Sequence, residues 1–87
     1  MNIVHTDTFK KNFRRRIKNH PNLVSRFKQR VKLFTISSID PVLKDHALKG
    51  RKHEFRAFSI TGDIRIVYFI QGDDIYFIDI GTHNQVY

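Results

Sequence analysis

The sequence contains no cysteine, which excludes a disulfide framework and any thiolate metal site, zinc fingers included. It has no apolar run near the roughly 20 residues that a membrane-spanning helix needs. The opening stretch MNIVHTDTF lacks a basic segment followed by a long apolar one, so it does not read as a secretory leader. Repeats, low-complexity tracts and linkers are also missing, and the 87 residues are expected to form one domain, 1–87, with a single modest core. A soluble, cytoplasmic protein that does not engage membranes is the expectation.

Acidic residues are scarce where basic ones are dense. Residues 1–53 hold 14 of the 16 Lys and Arg against Asp7, Asp40 and Asp45, a net charge of +11, whereas residues 54–87 carry −3. Charge gathered in this way favours a polyanion through phosphate neutralisation and counterion release, and suits an acidic protein equally well.

Hydrophobic spacing divides the chain into two regimes. MNIVH is short and apolar enough for an opening strand. From Thr6, a suitable cap with Asp7 in the first turn, Phe9, Phe13 and Ile17 recur every four residues and predict an amphipathic helix. NHPN interrupts it, Pro21 is placed to open a second helix, and Leu23, Phe27, Val31 and Phe34 form that helix's apolar stripe. Residues 6–36 are therefore expected to be mostly helical, a hairpin whose aromatics are core. The stretch SSIDPVLKDHALKGRK reads as a connection punctuated by Pro41 and Gly50. Beyond it the period becomes two, with strands expected near 54–60, 64–70 and 74–80 and turns at Gly62 and Gly72. The order β-α-α-β-β-β predicts an α+β fold of two layers, a helix hairpin packed on a small, mainly antiparallel sheet.

Alternation then picks out one strand residue. Arg65 lies between Ile64 and Ile66 and must project to the opposite side from Ile66 and Tyr68, together with Val67 and Phe69. If the helices cover the Ile66 side, Arg65 stands on an open face, free for a ligand or for an ion pair with Asp63 or Glu54. Asp79, inside an apolar strand, reads as a sheet-edge or hydrogen-bonded polar residue. Gly81 is expected to turn the chain so that His83 comes back over the face from which Arg65 projects.

The stretches DHALKG, FRAFSITGDIRIVYFI and IDIGTHNQVY resemble the RelE/ParE superfamily of bacterial toxin-antitoxin toxins, nearest its YafQ branch of messenger-RNA endonucleases. The GD-x-R-x-VY strand is shared with members that are not nucleases; the pairing of DH-x-LKG with GTH is the more specific feature. By position, the resemblance implies functional roles for His46, Asp63, His83 and Tyr87, with Arg65 where the RelE branch places its strand arginine. The YafQ pattern carries a histidine where this chain has Ser59 and a tryptophan where it has Ile64. The implied activity is metal-independent cleavage of mRNA, on the ribosome, by attack of the RNA's own 2′-hydroxyl, which inhibits translation.

That chemistry needs a base for the 2′-hydroxyl proton, an acid for the leaving 5′-oxygen and cations around the phosphate. Histidine titrates near neutral pH and suits either role, His83 as acid and His46 as base or phosphate positioner, while Asp63 could orient a histidine or serve as base itself. Arg65 supplies a charged fork for the phosphate, Lys44, Lys49, Arg51, Lys52, His53 and Arg56 would hold the RNA backbone, and Tyr87 could stack on a base. His46, His83 and Asp63 lack the local spacing of a metal site, so no metal and no cofactor is expected. The partners implied are a cognate acidic antitoxin, whose flexible tail folds on contact, and mRNA. Two further readings stay open: a ParE-like toxin that inhibits DNA gyrase without cutting, and an inactive nucleic-acid- or protein-binding domain of the same fold.

Overall fold

A computed structural model describes residues 2–49 and 54–87. The chain forms β1 (Asn2–His5), α1 (Asp7–Arg16), α2 (Pro21–Ile36), a 3-10 turn (Pro41–Leu43), β2 (His46–Ala47), β3 (Arg56–Ser59), β4 (Ile64–Gln71), β5 (Asp74–Thr82) and a one-turn helix α3 (His83–Val86). The strands lie in one sheet in the order β1-β5-β4-β3-β2, antiparallel throughout except that β1 runs parallel to β5. The expected helix hairpin and strand meander are both present, and the two-layer α+β architecture with them. Among the described residues, no helix is long and apolar enough to cross a membrane.

Local chemistry sets the helix ends. Thr6 Oγ1 accepts from Phe9 N at 3.3 Å and donates to Phe77 O at 2.9 Å, so one hydroxyl caps α1 and ties it to β5. Asp7 in the first turn and Arg14, Arg15 and Arg16 in the last complement the helix dipole. Pro21 opens α2 at a position where its missing N–H costs nothing.

The spacing of the aromatics then becomes packing. Phe9, Ile17 and Phe34 are buried from the helix side against Phe58, Ile66, Tyr68, Phe77 and Ile80 from the sheet, with Phe13, Leu23, Phe27 and Val31 lining the margin. Phe34 stacks on Phe58 with centroids 4.4 Å apart and meets Tyr68 edge-on at 5.0 Å. Each such buried ring contributes roughly 1.5–3 kcal/mol through the apolar surface it removes from water.

The other face of the sheet is not open along its length, contrary to the expectation. Leu48, Ala57, Val67 and Val86 form a second buried cluster there, flanked by Phe55 and Ile78. The chain's last turn supplies Val86, so the terminal segment packs back across β4 and β5. The connection after α2 also holds more structure than its punctuation suggests. Asp40 caps the 3-10 turn by accepting from Val42 N at 3.0 Å, and the two residues of β2 pair with Ala57 and Arg56.

On β5 a bulge leaves Ile78 without a counterpart, since Val67 pairs with Asp79 and Tyr68 with Phe77. β1 stops at Phe77, and α1 takes over that edge. Asn12 Nδ2 donates to Asp79 Oδ1 at 2.7 Å, while Arg16 Nη1 reaches Asp79 Oδ1 at 3.3 Å and Ile80 O at 2.9 Å. Asp79 is thus the hydrogen-bonded sheet-edge residue expected of it.

Candidate active site

The β4–β5 register places Arg65 opposite Gly81 and Ile64 opposite Thr82. Asp63 and His83 are the residues immediately beyond that last pair, so the two strands deliver them to the same end of the sheet. Gly81 does not turn the chain, as the sequence suggested. It lies within β5, and the left-handed glycine of this region is Gly72, in the β4–β5 turn.

What Gly81 provides is clearance. A Cβ on it would lie 2.6 Å from Gln85 Oε1, 2.8 Å from Arg16 Nη1 and 3.1 Å from Gln85 Cβ. Gln85 needs that space because it closes the start of α3. Thr82 is the N-cap, its N–H donates to Gln85 Oε1 at 2.8 Å, and its own side chain accepts from the backbone of Gln85. The terminal residues therefore fold as a capped helical turn rather than a loop. Tyr87 N donates to His83 O at 3.0 Å, one turn apart.

This turn assembles the cluster. The His83 and Tyr87 rings meet edge-to-face with centroids 4.6 Å apart, and Tyr87 meets His46 of β2 at 6.4 Å, interplanar angle 72°. Burial raises the Tyr87 phenol above its ordinary pKa against the opposing pull of the Arg65 charge, so it stays protonated as a neutral donor. Tyr87 is the hub of the group: two imidazoles flank it and a guanidinium lies near enough to act on it.

Arg65 is half-buried, and its Nη1 approaches Asp63 O at 3.5 Å. The ion pairs among the described residues are Arg16–Asp79 and Arg56–Asp45, so neither Asp63 nor Glu54 neutralises Arg65. Asp63 is exposed in a turn held by Thr61 Oγ1, which accepts from Asp63 N at 3.1 Å and Ile64 N at 3.0 Å. His46 Nδ1 lies 2.9 Å from Lys44 O. A carbonyl can only accept, so Nδ1 carries the proton and Nε2 of the neutral ring offers a lone pair.

The structure thus brings His46, Arg65, His83 and Tyr87 together, with Asp63 at the same end of the sheet. Arg56 is not among them. It pairs with Tyr68 across β3–β4, which puts it on the helix-side face, and its Nε donates to Asp45 Oδ1 at 2.8 Å. Lys44 and Lys49 are exposed on either side of β2, while Arg51, Lys52 and His53 lie outside the described residues. Among the described residues no three His, Asp or Glu side chains gather as a metal site.

Comparison with known proteins matches the whole chain, residues 1–87, to the family described as "Bacterial toxin of type II toxin-antitoxin system, YafQ". The chain belongs to the YafQ toxin family. Its fold is shared by a copper-bound single-substitution mutant toxin from Helicobacter pylori, at 25% identity and TM-score 0.79 over 100% of this chain and 99% of that one. YafQ from Escherichia coli superposes with TM-score 0.83 at 20% identity, covering 99% of this chain and 97% of its own. The E. coli DinJ–YafQ complex gives 0.80 at 22% identity, again over 99% and 97%. A comparison with curated protein sequences returned no significant match.

In this type II toxin, the cluster joins two titratable rings, a neutral phenol and a cation that forms no ion pair among the described residues, which is a set able to move protons beside an anion. Sequence reasoning missed α3. The T-x-x-Q spacing of Thr82 and Gln85 was the available signal for it. Replacing Gly81 with Ala is expected to push Gln85 and Arg16 aside, cost about 1 kcal/mol as the cap is lost, and abolish the aromatic NOEs between His83 and Tyr87. Urea denaturation and NMR check this, and unchanged NOEs with unchanged stability would count against the role given to Gly81.

Proposed function

We propose that this toxin is an endoribonuclease that cuts mRNA on the ribosome without a metal, using the RNA's 2′-hydroxyl as nucleophile. One observation carries the reading: His46, His83, Tyr87 and Arg65, which forms no ion pair among the described residues, converge at one end of the sheet. A gyrase-binding toxin has no use for that convergence. His46, with Nδ1–H held by Lys44 O, offers Nε2 as base, and His83 acts as acid toward the 5′-oxygen. The opposite assignment of the two imidazoles requires the same geometry. Arg65 stabilises the charge that grows on the phosphate, Tyr87 donates to it or stacks on a base, and Asp63 orients His83 or the attacking hydroxyl. Lys44 and Lys49, followed by Arg51 and Lys52 in sequence, hold the backbone beside the cut.

His83→Gln is expected to lower kcat by roughly a hundredfold or more while leaving the fold intact, because an exposed residue opening a short helix carries little of the core. Arg65→Ala is expected to lower kcat with little change in KM, through lost transition-state charge. Single-turnover cleavage of ribosome-bound mRNA measures both. A folded His83→Gln toxin cutting at the original rate would defeat the assignment, and a DNA-damage response without cut transcripts would favour a gyrase-directed toxin.

The partner we propose is an acidic antitoxin, by analogy with DinJ on E. coli YafQ. A groove lined by His5, Phe9, Phe13 and Phe27, with Lys10 and Arg14 at its rim, suits an amphipathic acidic segment. Reversing Lys10 and Arg14 to Glu together is expected to weaken antitoxin binding at least about tenfold, as like charges meet. Unchanged affinity by calorimetry would remove this groove from the interface.

A further inference from the structure

The residue preceding His46 has an enclosed carboxylate, and the proposed chemistry does not use it. The Asp45 side chain is only 9% exposed. Its Oδ1 accepts from Arg56 Nε at 2.8 Å and its Oδ2 from the Tyr68 hydroxyl. Arg56 and Tyr68 face one another across β3–β4, so the two donors stand side by side on a rigid part of the sheet. Burial, and then the neighbouring Asp45, push the Tyr68 phenol far above its ordinary pKa, so it remains a donor at all working pH values.

On the other side of Asp45, Lys44 adopts the left-handed conformation with φ 50°, uncommon for a residue with a side chain. It is held there from both ends. Lys44 N donates to Pro41 O at 3.2 Å in the capped 3-10 turn, and Asp45 is pinned to the sheet. That backbone directs Lys44 O at His46 Nδ1. The carboxylate therefore lies one residue from the imidazole without bonding to it.

We infer that Asp45, Arg56 and Tyr68 are positioning residues for His46: by anchoring Asp45 they hold Lys44 left-handed, and the Lys44 carbonyl then fixes the ring's orientation and its Nδ1–H tautomer. The inference rests on the proposed use of His46 for its functional meaning, but the tautomer can be read without any cleavage. The arrangement also gives Arg56 work other than holding RNA. An ordinary structural ion pair would stabilise the fold and leave the imidazole unaffected, and this separates the two explanations.

The test uses uniformly 15N-labelled toxin and long-range proton–nitrogen spectra of His46 at a pH where the ring is neutral. In the unaltered protein the Nδ1–H form is expected to predominate, the reverse of a free imidazole. Tyr68→Phe keeps the aromatic ring in the core and removes only the hydroxyl, while Arg56→Gln alters a half-exposed side chain; each is expected to shift His46 toward Nε2–H. In both, kcat for cleavage should fall roughly 10–100-fold with KM within about twofold, as befits a misplaced catalytic ring. Folded variants that keep the original tautomer overturn the inference, and if Tyr68→Phe does not fold, Arg56→Gln decides alone. If His46→Ala cleaves normally, the proposed use of His46 fails, while the tautomer shift still reports on the positioning.

Discussion

The register in which β5 returns along β4 is the constraint on which the site depends. It pairs Arg65 with Gly81 and Ile66 with Ile80, so one strand gives its isoleucine to the main core and its arginine to the opposite face. A slip of one residue would bury the guanidinium among Phe9, Phe34 and Phe58 and expose Ile66, at a cost no domain of this size could bear. The same register brings Thr82 level with Ile64, where α3 begins. Gly81 then leaves room for Gln85 to close the cap, and the capped turn presents His83 and Tyr87 one turn apart.

The two layers divide the work. The helical layer carries ten of the 16 Lys and Arg within residues 6–36, with Asp7 as its sole acid. Arg16 is occupied at the β5 edge and Arg30 by Val42 O, while others such as Lys10, Lys11, Arg14 and Arg15 remain exposed. That field attracts polyanions and speeds encounter, with a strong dependence on salt. The cluster proposed for the chemistry sits elsewhere, at one end of the sheet, where Arg65 is half-buried and its charge is less screened. Under the proposed function, affinity and rate therefore rest on different cations.

The helix stripes and the strand alternation were legible because both arise from long segments with one buried face. Phe9, Ile17 and Phe34 at helical spacing, and Ile64, Ile66 and Tyr68 at period two, each repeat often enough to set a period. Elements too short to show one were lost: β2 has two residues and α3 four, and their positions come from pairing with β3 and from Val86 entering the second cluster. The second cluster was hidden for a related reason, since its members Leu48, Ala57, Val67 and Val86 come from four segments. His46, Asp63, Arg65, His83 and Tyr87 were named through resemblance together with the chemistry of their side chains. Neither could reveal that Arg56 faces the helices, because its placement depends on β3 pairing Arg56 with Tyr68 and Ser59 with Arg65.

The chemical identity of the cut ends tests the central claim most directly, because attack by the RNA's own hydroxyl leaves a mark that no other nucleophile leaves. Ribosomes programmed with a defined mRNA would be treated with the toxin, and the fragments analysed by mass spectrometry within the first turnover. The expected products are a 2′,3′-cyclic phosphate on the upstream fragment and a free 5′-hydroxyl on the downstream one. A 3′-hydroxyl facing a 5′-phosphate would show that water was the nucleophile, and would contradict the roles given to His46 and His83.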